Sequence, residues 1–203
     1  MKKPFLLLCL TLCLSACGQQ ASDMERVSQQ LADMHSYSCS ATMTRATPKG
    51  QAVYETKQYF REDGAYRLEI TAPETAAGNY TVFDGEKIAQ YNPNVKQPVI
   101  QNVPENKMRN ELFLGQFYEN YLSSQDVSVE TAALDESKCV VLEAIIPEAN
   151  EALATEKLWV DTETLLPVRL CIYGEDGTET FCLDYSDFVY NPDLDDALFT
   201  IPE

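Results

Sequence analysis

Cysteine supplies most of the reactive chemistry in this sequence, and its positions separate two kinds of it. Cys17 follows Leu14-Ser15-Ala16, after a start of Met-Lys-Lys and a run from Phe5 to Leu14 almost without polarity. A basic start, an apolar stretch and small residues at a cut site make a secretory signal. A thiol placed there can be joined to diacylglycerol through its sulfur and, after cleavage between Ala16 and Cys17, become the first residue of an anchored protein. An ordinary signal peptide with an incidental cysteine is the alternative. A retained spanning helix would need roughly 20 apolar residues, more than this run offers. Residues 1–16 are therefore expected to be a lipoprotein signal peptide ending in a lipobox, with Cys17 the lipid attachment and residues 17–22 the anchor and a polar spacer. Attachment through two or more acyl chains is stable where one chain is marginal.

Cys39, Cys139, Cys171 and Cys182 remain beyond the anchor. In an exported chain such residues oxidise where the compartment allows it. The runs "LPVRLCIY" and "TETFCLDYSDFVY" flank Asp176-Gly177, which reads as a two-residue type I′ hairpin loop. That register sets Ile172 against Phe181, Leu170 against Leu183 and Val168 against Tyr185 on one face. On the other, Arg169 meets Asp184 and Cys171 meets Cys182. Facing Cα atoms lie roughly 4.5–5.5 Å apart, within disulfide reach. Cys171 and Cys182 are expected to form a cross-strand disulfide in an oxidising compartment and to stay two thiols in a reducing one. Cys39 and Cys139 read as buried and unpaired.

Catalytic chemistry has little to build on. His35 is the single histidine, near the end of the first helical segment, and no Gly-x-Ser-x-Gly context accompanies it. There is no Cys-x-x-Cys pair, so no metal site is expected, and no clustered glycines to cradle a phosphate, so no cofactor. The aspartates of "NPDLDDALF" lack the glycine and final glutamate of a calcium loop and read as a turn and helix cap. Trp159 and the tyrosines fit either a core or the lining of an apolar groove. The expectation is a protein that is not an enzyme.

The elements that would position these residues are mostly strands. Met24, Val27, Leu31 and Met34 recur at helical spacing after Ser22 or Asp23, giving a helix over 23–35. Short β-branched and aromatic runs follow, separated by Pro48-Lys49-Gly50, Asp63-Gly64, Asp84-Gly85 and Asn92-Pro93-Asn94. A second helix is expected over 108–122, and strands resume from Asp126 to Tyr190. The fold class expected is α+β, an antiparallel meander with helices beside it, in one domain over residues 23–203.

Loss of residues 1–16 removes Lys2 and Lys3 and takes the net charge from −17 to −19. Such a body is repelled by phosphate backbones and anionic lipid, which excludes nucleic acid as a partner and leaves the lipid as the grip on the membrane. Edge strands of an open sheet allow a homodimer.

With "LADMHSYSCSATMTR", "YFREDGAYRLEITAP", "VFDGEKIAQYNPNVKQ", "LWVDTETLLPVRLCIYGEDG" and the ending "ALFTIP", the chain resembles the LolA/LolB superfamily of lipoprotein carriers over nearly all of its mature length. The resemblance implies a curved antiparallel sheet, a half-open barrel with helices packed on its concave face, able to hold acyl chains there. Two departures stand out. The family's shuttle is soluble, whereas Cys17 would tether this chain. The shuttle's lid-locking arginine falls at Glu62 here, with Arg61 beside it, so the open-and-closed switch is not carried over. Within the superfamily the chain is most similar to the germination lipoprotein family of clostridia, the GerS-like proteins. That likeness implies an envelope lipoprotein on the extracytoplasmic face of the cell membrane, acting as a binding partner of a spore-cortex enzyme, an N-acetylmuramoyl-L-alanine amidase. The alternative is a carrier or receptor for acylated lipoproteins or lipids, whose ligand-binding residues the sequence does not specify.

Overall fold

The computed structural model describes residues 21–95, 97–103 and 110–201; Ala16 and Cys17 lie outside them. Helix α1 (Asp23–Ala32) opens on a capping box. The Ser22 hydroxyl accepts from the Glu25 N–H at 3.2 Å, and the Glu25 carboxylate accepts from the Ser22 N–H at 2.7 Å. Val27 and Leu31, four apart, form its buried stripe. The helix stops three residues short of the expected end because Asn191 satisfies its terminus from outside. The Asn191 amide donates to the Asp33 carbonyl and its oxygen accepts from the N–H groups of His35 and Ser36.

From there the chain builds eleven strands: β1 (Ser36–Thr47), β2 (Gly50–Arg61), β3 (Tyr66–Ala72), β4 (Tyr80–Phe83), β5 (Lys87–Tyr91) and β6 (Val99–Asn102), then helix α2 (Leu114–Ser123), then β7 (Ser128–Leu134), β8 (Ser137–Asn150), β9 (Leu153–Asp161), β10 (Pro167–Tyr173) and β11 (Glu179–Tyr190). They form one curved antiparallel sheet in the order β6-β5-β4-β3-β2-β1-β11-β10-β9-β8-β7. Two meanders are thus joined where β1 pairs with β11. The edge strands are β6 and β7, and the connection between them carries α2 back across the concave face. This is the open, curved antiparallel sheet with helices that the resemblance implied.

Alternation of burial shows which face is the core. On β1, Tyr37, Cys39, Ala41 and Met43 are buried, and on β9 the same holds for Ala154, Glu156, Leu158 and Val160. Trp159 points to the opposite face, half-buried beside Arg169 across the ladder, so it fills neither core nor groove. Tyr37 stands between the rings of Phe60 and Phe188, with centroids at 5.6 and 5.1 Å. Gly115 lets α2 come this close: a Cβ there would lie 2.0 Å from the Phe60 ring.

α2 begins at Leu114, later than expected. Residues 110–113 instead make a turn, with the Phe113 N–H on the Asn110 carbonyl, that sinks Phe113 into the core. The final hairpin keeps the expected pairs from Arg169 and Asp184 to Ile172 and Phe181, but its turn is not type I′. The Gly177 N–H returns to the Gly174 carbonyl, and Gly177 has positive φ while Asp176 does not. The loop is therefore a type I turn with a glycine bulge, which shifts the register by one between Ile172 and Tyr173. Near the C-terminus Asp195 caps a short 3-10 turn (Asp196–Phe199), and Phe199 is buried under the guanidinium of Arg61.

Candidate functional site

The sheet's concave face supplies Met43, Leu68, Ile88, Ile172 and Phe181 to a cavity of about 330 Å³, roofed by residues 110–113 ahead of α2. Leu112 and Phe113 make that roof apolar, while Asn110 and the buried Glu111 bring polar groups to it. A space of this size is at the lower end of pockets that hold small ligands, and its apolar walls suit hydrocarbon. A second hollow, of about 450 Å³, adjoins it across Leu68, Thr81 and Gln90 and runs along β3 to β6.

Beside the cavity the core is unexpectedly polar. Glu156 is fully buried on β9 and accepts a hydrogen bond from the Asn120 amide of α2 at 2.7 Å. Its other oxygen, the Gln58 amide nitrogen and the Tyr185 hydroxyl are buried with no hydrogen-bond partner among the described residues. Burial pushes the Glu156 pKa up to about 8; the Asn120 bond opposes this, and the charge of Glu111 adds to it. At neutral pH Glu156 is therefore mostly protonated. The Tyr37 hydroxyl joins helix to sheet: it accepts from the Leu114 N–H at 3.1 Å and donates to Gln58 at 3.2 Å. No motif in the sequence marks this cluster. Its signal was the alternation itself, which places Glu156 in phase with Ala154, Leu158 and Val160, and Gln58 in phase with Phe60.

Cys171 and Cys182 face each other with Cα atoms 4.1 Å apart and are joined as a disulfide. Glu179 lies close by, but sulfurs spent in a disulfide are not thiolates and cannot ligate a metal. Cys39 and Cys139 are buried free thiols. His35 is exposed, bonds the Glu62 carboxylate at 2.6 Å and is not among the residues that line the cavity. Neighbouring Arg61 pairs with Asp63 and Asp196, so the basic residue next to the expected lid-lock position holds the C-terminal turn and not a lid. No helix among the described residues is long and apolar enough to cross a membrane.

A family model described as sporulation protein YdcC-like matches residues 2–199. No curated protein matches the chain. Among solved structures, the complex of the CwlD amidase with the GerS lipoprotein from Clostridioides difficile contains a chain 27% identical to this one. The match covers 85% of this chain and 98% of that one, with a TM-score of 0.51. An uncharacterized conserved protein from Thermus thermophilus shares the fold at 16% identity, covering 89% and 93% with a TM-score of 0.55. A LolA superfamily protein from Nitrosomonas europaea is 16% identical, covering 89% and 99% with a TM-score of 0.47.

Proposed function

The chain belongs to the sporulation protein YdcC-like family, and from that premise we propose that it is a lipid-anchored, non-catalytic envelope protein that binds and supports a cell-wall amidase. The observation that carries the reading is the likeness to the GerS lipoprotein, seen in complex with an amidase, over almost the whole of both chains. The anchor is Cys17, which would hold the protein on the extracytoplasmic face of the cell membrane. The role is that of a binding partner: the one histidine is exposed and tied to Glu62, and the carboxyl of Glu156 is buried in the core and held by Asn120. Immunoprecipitation from cross-linked cells tests this reading. Recovery of an N-acetylmuramoyl-L-alanine amidase above control is expected, and recovery of no envelope protein would defeat it.

The cavity supports a second reading, a carrier or receptor for acylated molecules. Mass spectrometry of lipid extracted from residues 22–203, made without Cys17, separates the two. An acyl ligand near one-to-one supports the carrier, and an empty, stably folded protein removes it.

A further inference from the structure

Helix α1 lies across one end of the barrel. Asp23 at its start takes the ammonium of Lys138, where β8 begins, at 2.6 Å. One turn on, Arg26 donates to the carbonyl of Thr162, in the turn after β9, at 3.1 Å. Its far end is held by Asn191, just past β11. The helix is thereby fixed to the strand ends that carry the turns at 134–137 and 162–166. The opposite end carries the turns at 47–50, 150–153 and 174–178, the last two linked where Thr180 donates to the Ala152 carbonyl at 2.8 Å.

Cys17 is five positions from the cap residue Ser22. Even fully extended, that length of chain reaches at most about 18 Å. β8, with 14 residues at about 3.3 Å each, runs about 45 Å from one end of the barrel to the other. We propose that the α1 end of the barrel is the membrane-facing surface, and that the turns at 47–50, 150–153 and 174–178 point away from the bilayer towards the wall and any partner there. The inference rests on the lipid anchor at Cys17.

Charge decides how the near end sits. Glu25, Asp33, Asp135, Glu136 and Glu163 are exposed there, and the nearby cations Arg26 and Lys138 both pair with Asp23. An anionic rim is repelled by anionic headgroups, so it rides above them and does not embed. The orientation is imposed by the short tether, not by attraction of the rim.

Full-length lipidated protein purified from membranes and placed in phosphatidylcholine–phosphatidylglycerol vesicles tests this. A fluorophore is placed at Glu136→Cys or at Glu151→Cys, at opposite ends of β8, and the vesicles carry headgroup-spin-labelled phosphatidylcholine as quencher. Strong quenching is expected at the first position and none above the lipid-free level at the second. Protein that floats with the vesicles but quenches equally or in reverse overturns the orientation and leaves the anchor standing. Protein that does not float overturns both. Inserting a 30-residue Gly/Ser spacer after Gln20, with an average span of about 30 Å, is expected to abolish the difference. Persistence of the difference would show that the rim itself binds the membrane, which contradicts the tether.

Discussion

Glu156 puts an ionisable group where a carboxylate has no counter-charge, and this gives the fold a definite pH dependence. Its folded pKa of about 8 lies above the ordinary carboxyl value of 4.5, so between those values the folded state holds more protons than the unfolded one. Stability from this group is therefore full below about pH 4.5 and falls as pH rises towards 8, by at most ~1.4 kcal/mol per pH unit. Glu156→Gln keeps an acceptor for Asn120 and removes the charge, so urea melts at pH 8.5 should show it more stable than the parent, with a flatter pH profile. An unchanged profile would mean the carboxyl reaches water. Tyr37→Phe keeps the ring stack with Phe60 and Phe188 but strips the acceptor from the Leu114 N–H and the donor from Gln58. Leaving those two buried groups unpaired should cost about 1–3 kcal/mol in the same assay. The inward position of Glu156 was legible from the alternation of β9. Its partner was not, because nothing in "LGQFYENYLS" says which face of the helix meets which strand.

At the scale of elements, α2 depends on a single missing side chain. Gly115→Ala would raise intrinsic helix propensity, yet the added Cβ meets the ring of Phe60, itself buried and packed on Tyr37. A net loss of about 1–3 kcal/mol is expected by denaturant unfolding, and a gain would show that α2 can lift from the sheet. The Cys171–Cys182 disulfide closes a loop of separation 11, so the double variant Cys171→Ser, Cys182→Ser should lose about 3 kcal/mol, an effect absent if both proteins are compared under reductant. Strands were the most legible part of the sequence. In "YSCSATMTR" and "EKLWVD" one face of the strand is buried, which forces a period of two, and the pairing of Arg169 with Asp184 pinned the last register. The turn at its tip was not legible, since Asp176-Gly177 suits either a two-residue loop or a type I turn with a bulge, and the choice falls to Gly174. The start of α2 escaped for a similar reason. Met108 and Leu112 have helical spacing, but burial of Phe113 under Tyr66 outweighs propensity and holds 110–113 in a turn.

For the whole molecule, the anchor proposed at Cys17 would hold the protein at one end and offer the rest to a partner. The join of β1 to β11 places the first and last strands side by side in the middle of the sheet and leaves β6 and β7 as its edges. Charge of −17 discourages adsorption to wall polymers and lipids of like sign, so recognition of a protein surface, not bulk attraction, would have to hold the proposed complex. The most direct test of this account is to mix the purified lipidated protein in detergent with the purified envelope amidase of the same cell and follow both by size-exclusion chromatography with mass detection. A complex containing both chains is the expected result; separate elution at micromolar concentration, with each protein folded, would contradict it.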